Sequence, residues 1–495
     1  MKKKFMTQTI IKINLNYPLI LLLTLIILIS GCSTYTPSSV TKMDLANKRV
    51  SLNTETQFIW GVNGHPITNI DYVNTNLDQD IKLLKEHQFR AYRFDIRLNE
   101  EGKVLQHAAR FQELLQKASK ENISIHPVIL INLFLSDYKI SQEEAYRRGY
   151  TQMKGFAKKY AEYLHYYTLG NEQDLRLINK GSDGVNISDY DREKFRILAS
   201  YLKGMYKGLK ENDPSALAII NSAGWLHLGY YELLAQEKVP YDILGYNWYS
   251  KNITYLSNFG QGDILKQLHD RFQKPIWLTE INAKRGSYDS ETEQASMMKE
   301  YIESLHKQKY INAFFVYELY DQPGLIGQNW AGEKEAYYGI VRWEEEPNQY
   351  SKYSYKPVSN VIKFGIEEAD HGYEDYIIAL YHDLLNKKPT EKELMSWILK
   401  LEKTTEHNHF LNQFYTEHNL IKKVSKPSIK SINTNYQKLL GRSLTEEEVK
   451  FWERNLKIDK EINIIKTIIS SKEYWERAIW DGYHRRTGYK YRQLN

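Results

Sequence analysis

An α/β fold is predicted, a (β/α)₈ barrel followed by a small all-α domain of two repeats, and three features of the sequence predict it. From about Phe58 to Phe364, eight short apolar runs alternate with longer amphipathic stretches. After Lys363 the pattern turns to helix only, and within it a set of aromatic, aliphatic and acidic positions recurs 55 residues later. Strands alternating with helices imply parallel βαβ units, and eight such units close into a barrel. An open doubly wound sheet is the alternative. It is disfavoured because no Gly-rich phosphate fingerprint follows the first strand. The 495 residues suit a barrel of roughly 250 to 300 residues plus a smaller unit.

The N-terminus comes first. Lys2, Lys3, Lys4 and Lys12 form a basic region ahead of the uncharged run Leu19–Ile29. That run is too short to span a bilayer, which takes roughly 20 apolar residues; it has the length of a signal-peptide core. Ile29-Ser30-Gly31-Cys32 closes it and resembles a bacterial lipobox, in which the cysteine thiol receives a lipid. Cys32 is the only cysteine, so the mature chain has no possible intramolecular disulfide. The expected order is a lipoprotein signal over 1–31, a lipid-anchored tether over 32–55, the barrel over 56–367 and the helical domain over 368–495. The mature protein is then exported and held on a membrane, facing the periplasm or the cell surface. Removing residues 1–31 takes away four lysines and no acid, so the net charge falls from +6 to +2. The basic balance is largely the signal and gives no argument for a nucleic-acid partner.

The eight strands are expected at Phe58–Val62, Ala91–Asp95, Ser124–Ile131, Tyr166–Gly170, Ala218–Asn221, Ile243–Tyr246, Ile276–Thr279 and Ala313–Tyr317. Helical patterns such as Leu77–His87, Ala108–Ser119, Ser141–His165, Asp191–Lys210 and Glu293–Gln308 separate them. In the tail, Tyr381, Leu384, Thr390, Glu393 and Trp397 realign with Tyr436, Leu439, Thr445, Glu448 and Trp452. A threonine followed by acids before an apolar helix is an N-cap signature. Each copy therefore reads as helix, turn and capped helix, and two copies packing together bury more than one alone. The segment resembles a helical repeat of unknown function in exported bacterial surface proteins, which implies a surface-protein or glycan partner.

Barrel enzymes place reacting groups at the C-terminal ends of strands. Tyr167-Thr168-Leu169-Gly170-Asn171-Glu172 is an apolar strand ending in Asn-Glu, and Ile276-Trp277-Leu278-Thr279-Glu280 ends in a lone carboxylate. A buried carboxylate is costly unless paired; a structural ion pair explains either one alone, but less readily both, on inferred strands four and seven. The 39 tyrosines, with 10 tryptophans and 16 phenylalanines, fit core packing, or a surface on which aromatic rings stack against sugars.

Gly-Asn-Glu on strand four and Thr-Glu on strand seven resemble the clan A retaining glycoside hydrolases, with the family 39-like barrels the nearest in flavour. The resemblance covers roughly residues 56–365. It implies Glu172 as catalytic acid/base and Glu280 as nucleophile, acting on a polysaccharide or oligosaccharide. It also implies that Arg93 holds Glu280 ionised, that Asn171 meets a sugar hydroxyl, and that Tyr246 hydrogen-bonds the nucleophile. Separately, the sequence has no HExxH, paired CxxC or P-loop, and its 14 histidines show no metal-ligand spacing, so no cofactor and no metal are expected. Trp225 and His227 after strand five, with Trp248, are expected to line the sugar cleft. The clan often has a tryptophan at the end of strand eight; here Tyr317 or Tyr320 stands in that region. Trp60, His65, Asn132 and Trp277 are weaker candidates. Two other readings stay open: a non-catalytic polysaccharide-binding lipoprotein built on a glycosidase barrel, and an adhesin whose activity resides in the helical repeats.

Overall fold

A computed structural model describes residues 49–50, 52, 58–131, 138–250, 262–329, 331–344, 350–404, 407–420, 427–455 and 461–488. Cys32, the signal and the tether up to residue 48 lie outside the described residues, as does Asn132.

Each apolar run becomes a strand, and a helix follows each one. The strands are β1 Ile59–Gly64, β2 Ala91–Arg97, β3 Ser124–Leu130, β4 Tyr166–Leu169, β5 Leu217–Ser222, β6 Ile243–Ser250, β7 Ile276–Ala283 and β8 Ile311–Val316. The helices are α1 Leu77–Glu86, α2 Ala108–Lys120, α3 Gln142–Tyr160, α4 Arg192–Asn212, α5 Leu228–Gln236, α6 Ile264–Phe272, α7 Glu291–Leu305 and α8 Pro357–Leu385. The strands pair in chain order, and β8 returns to β1 with parallel register, so the barrel is closed.

Alternation along the strands sorts the side chains into two cores. Ile59, Ala91, Tyr166, Ile219, Ile243, Trp277, Ala313 and Phe315 form one cluster inside the barrel. Their neighbours, among them Trp60, Tyr92, Tyr167, Leu244, Leu278 and Phe314, pack outward into the helix layer. Below the cleft the barrel is plugged by rings: His126 lies 4.5 Å from Tyr166 and 5.5 Å from Trp277, ring to ring. Burial holds this His126 well below the usual imidazole range, so it fills space as a neutral ring.

Helices α3 and α4 cross unusually closely, because glycines face backbone there. A Cβ on Gly149 would sit 2.2 Å from the Tyr201 carbonyl oxygen, and one on Gly204 would sit 2.1 Å from that of Tyr146. No side chain fits at such a distance.

The last barrel helix does not stop at the barrel. Pro357 opens α8 at a position that tolerates the missing N–H, and the helix runs unbroken to Asn386, whose left-handed φ of 52° caps it. The expected boundary at 367 falls inside it. Helices α9 Glu391–Glu402, α10 His407–Glu417, α11 Ile429–Leu440, α12 Glu446–Asn455, α13 Glu461–Ile469 and α14 Lys472–Thr487 complete the chain. The recurrence is visible in the caps: Thr390 and Glu393 cap each other's backbone N–H groups ahead of α9, and Thr445 and Glu448 do the same ahead of α12. The terminal helix α14 returns to α8, where Arg486 bonds Asp375 at 3.1 Å and pairs with Glu367. It also reaches the barrel helix α7 through Lys299 and Glu476, 3.4 Å apart. Among the described residues no helix is long and apolar enough to cross a membrane.

Candidate active site

The C-terminal ends of the strands surround a cleft of about 510 Å³ that both Glu172 and Glu280 line. Glu172 arrives there through a sharp turn. β4 ends at Leu169, Gly170 takes φ +84°, and Glu172 itself takes φ +46°. A Cβ on Gly170 would meet Ile131 at 2.8 Å, so only glycine suits that turn. A glutamate in the left-handed region is uncommon, and such strain gathers at functional sites. The Glu172 backbone N–H donates to Asn221 Oδ1 at 3.3 Å, and Asn247 Nδ2 donates to its Oε1 at 2.8 Å.

Glu280 arrives by a different device. Strict alternation on β7 sends Trp277 and Thr279 inward and Leu278 outward, which would send residue 280 outward too. The register of β7 slips against both neighbours: Leu278 faces Tyr246 while Glu280 faces Asn247, and against β8 the slip lies between Leu278 and Ile281. The bulge turns Thr279 and Glu280 both inward, the re-aiming that bulges perform beside active sites. Thr279 Oγ1 donates to Asn247 Oδ1 at 2.7 Å. Asn247 thereby ties the two carboxylate strands together.

The two carboxyl groups have unlike surroundings. Arg93 Nη1 donates to Glu280 Oε1 at 2.9 Å, and Tyr249 Oη donates to its Oε2 at 2.8 Å. Glu280 thus accepts from a cation and a phenol, with both partners held in place. Arg93 in turn is fixed by Asn63 Oδ1 at 2.6 Å and Asn171 Oδ1 at 3.0 Å. Among the described residues no cation bonds Glu172; burial, and then the negative Glu280, push its pKa up to about 8.

A second charged pair stands beside Glu280. His65 Nδ1 bonds Asp95 at 2.6 Å, and its Nε2 lies 3.2 Å from the Tyr317 hydroxyl and 3.6 Å from Glu318. Burial pulls the imidazole pKa down, but Asp95, Glu318 and Glu280 outweigh it and raise it to about 9. Burial pushes the Glu318 carboxyl up to about 7, opposed by His65, Tyr72 and Gln322. Tyr317 points into the cleft from the end of β8, and the peptide bond after it is cis.

Arg93, Asn171, Trp225 and Tyr317 line the cleft with the two glutamates, as does the weaker candidate His65. Three expected residues do not. Tyr246 faces the helix layer, fully buried, because β6 alternates from Ile243: residues 243, 247 and 249 turn inward, and 246 and 248 turn outward. The tyrosine that bonds Glu280 is therefore Tyr249. Trp248 is also buried, with its ring 5.1 Å from that of Trp225, so it braces the cleft tryptophan from behind. His227 is engaged elsewhere: its Nδ1 bonds buried Asp174 at 2.5 Å where α5 begins. Trp60 and Trp277 likewise lie away from the cleft, Trp60 bonding Asp370 through its Nε1 at 3.1 Å and Trp277 filling the barrel. Tyr320 binds Asp80 at 2.9 Å instead of the cleft. Sequence reasoning missed Asn63, Asn221, Asn247 and the role of Tyr249. The available signal was a polar side chain on the inward parity of an otherwise apolar strand end.

Residues 223–329, from the end of β5 to beyond β8, match the family model described as the glycosyl hydrolase catalytic core. The chain is a glycoside hydrolase. The matched stretch of the hydrolase holds Glu280 and Tyr249 and ends after Tyr317. No curated protein matches the sequence. Among solved structures, the β-glucosidase from Thermotoga maritima in complex with deoxynojirimycin is 14% identical, with a TM-score of 0.47. That alignment covers 63% of the hydrolase and 98% of the other chain. The same enzyme in complex with castanospermine is 13% identical, with the same coverage and a TM-score of 0.47.

Proposed function

We propose that the hydrolase cleaves a β-linked glycan, a bacterial exopolysaccharide or cell-surface polysaccharide, with retention of configuration and by double displacement. The observation that carries this reading is the opposed setting of two glutamates in one cleft: Glu280 held by Arg93 and Tyr249, Glu172 raised to about 8. Retaining cleavage asks one carboxyl group to give a proton to the leaving oxygen and the other to attack the anomeric carbon. Environments that push two carboxyl pKa values apart assign those roles.

In the first step Glu280 attacks the anomeric carbon as Glu172 protonates the departing oxygen, and a glycosyl-enzyme ester forms. In the second, Glu172, now ionised, takes a proton from water, which displaces Glu280. Arg93 and Tyr249 receive the charge that returns to Glu280 at that moment. Asn171 gives its oxygen to Arg93 and Asn221, which leaves its amide nitrogen to donate to a sugar hydroxyl. Export and a lipid on Cys32 would put the cleft outside the cytoplasm, where such polymers lie.

The test separates the glutamates by role. With a dinitrophenyl glycoside, whose leaving group hardly needs a proton, Glu172→Ala is expected to release a burst of phenol and then stall. Azide, which needs no base, is expected to restore turnover and give a glycosyl azide of retained configuration. Glu280→Ala is expected to show neither. Exchanged roles, or two variants that match wild type, would overturn the proposal.

A further inference from the structure

We propose that Trp225 and Lys284 form a subsite at the cleft rim that selects a sugar carrying a carboxylate, a uronic acid or an acid-substituted pyranose, within the glycan. This deepens the glycan-cleaving reading above and rests on it.

The platform is built rather than incidental. Trp225 and Leu226 both take left-handed backbone, φ +51° and +66°, just after β5. Only a fixed turn keeps two such residues in sequence. The buried Trp248 backs the Trp225 ring at 5.1 Å, so the ring stands as a rigid wall of the cleft. Such a wall suits the C–H face of a pyranose.

Lys284 is the first residue after β7, and its backbone N–H is held by the Ser250 carbonyl at 3.0 Å. Its ammonium lies over the Trp225 ring, 5.6 Å from the centre. That is a long cation–π contact, worth about 0.5 to 1 kcal/mol at an exposed site, and a sugar settling on the ring displaces the ammonium toward its own substituents. Other cations in the cleft are committed: Arg93 to Glu280 at 2.9 Å, His65 to Asp95 at 2.6 Å and Lys334 to Glu335 at 3.8 Å. Among the described residues, no carboxylate lies within ion-pair distance of Lys284. A pyranose resting on Trp225 therefore places its substituents beside a cation whose charge nothing described balances. A hydroxyl there gains an ordinary hydrogen bond; a carboxylate gains a charge-assisted one, roughly twice as strong. The whole cleft leans the same way. With Glu172 carrying its proton, the described lining residues include four cations, counting His65 as protonated, and three anions.

Binding is measured by calorimetry on the full chain carrying Glu172→Gln, which removes the proton donor, so that these unactivated glycans are not consumed, and keeps the Arg93–Glu280 pair intact. The probes are soluble fragments of cellulose, curdlan and β-mannan, each neutral and each oxidised at C6 to the uronic acid. At least one acid form is expected to bind about tenfold tighter than its neutral counterpart. That ratio is expected to weaken as salt screens the rim. Lys284→Met is expected to bring the ratio close to one, and Lys284→Arg to restore most of it. Equal binding of acid and neutral forms, binding of none of the six, or a ratio that survives Lys284→Met overturns the subsite. The readout does not depend on turnover. A chain that binds an acid form through Lys284, yet fails the azide test, keeps the subsite and loses the two-glutamate mechanism.

Discussion

Replacing Tyr249 with Phe removes one oxygen atom from the cleft and leaves the ring. Glu280 then loses the donor to its Oε2 at 2.8 Å and keeps Arg93 on its Oε1 at 2.9 Å. The ring should stay in place, because Tyr317 and Tyr338 pack edge-on against it at 5.8 and 5.4 Å. A hydrogen bond to a charged group contributes about 1.5 to 3 kcal/mol, and each 1.36 kcal/mol is tenfold in rate. The loss falls where charge returns to Glu280, in breakdown of the glycosyl-enzyme, so kcat is expected to drop by about tenfold to a hundredfold. The control is Tyr246→Phe, whose ring stacks on Trp248 in the helix layer at 6.3 Å and does not line the cleft. It is expected to stay within about twofold of wild type, as substitutions away from the reacting groups do when the fold holds. Initial rates on a chromogenic glycoside, with thermal melts to verify folding, decide the matter. The reasoning is refuted if Tyr246→Phe costs as much as Tyr249→Phe, or if Tyr249→Phe costs less than twofold.

Three further outcomes are expected. Glu172 must carry its proton to act as an acid, so kcat/KM is expected to hold on the acid side and fall as pH rises through about 8; a basic limb near the ordinary glutamate value of 4.5 would contradict this. Gly204→Ala puts a methyl group 2.1 Å from the Tyr146 carbonyl oxygen, and the forced separation of α3 and α4 should cost about 1 to 3 kcal/mol in urea unfolding; an unchanged midpoint would show that the crossing can relax. Arg486→Met leaves Glu367 and Asp375 buried without their cation, and a loss of about 3 kcal/mol is expected in urea unfolding; an unchanged midpoint would show that the pairing contributes nothing.

The barrel was legible because its signal is long-range and redundant. Eight apolar runs separated by amphipathic stretches admit few architectures, and one misplaced strand would not have changed the answer. Glu172 and Glu280 were legible because a carboxylate closing an apolar strand is conspicuous. Their delivery was not: the bulge that turns Glu280 inward breaks the period of two by which a strand is read. The same period, counted from Ile243, would have put Tyr249 and Asn247 in the cleft and Tyr246 and Trp248 behind it. His227 misled because a histidine after a strand looks available until its partner, Asp174, 53 positions earlier, is known. The long helix α8 was not legible, because the change of pattern after Lys363 marks a shift in what the helix packs against and not a break in the helix. Its Gly365 makes room for the barrel helix α7: a Cβ there would meet Ile302 at 2.7 Å.

That unbroken helix has a consequence for how the two parts of the chain work together. At 29 residues α8 is about 43 Å long, and its one end seals the barrel wall while the other is the first member of the helical array. A joint of this kind has almost no slack. A flexible connector lets an appended module sample many positions, and its benefit falls off gradually with connector length. A stiff shared strut offers one bearing: anything gripped by the array is presented to the catalytic mouth at a set distance and angle, or never reaches it. Inserting or deleting residues within α8 would therefore rotate the array by about 100° per residue, so the two parts should tolerate whole-turn changes in length and fail at intermediate ones.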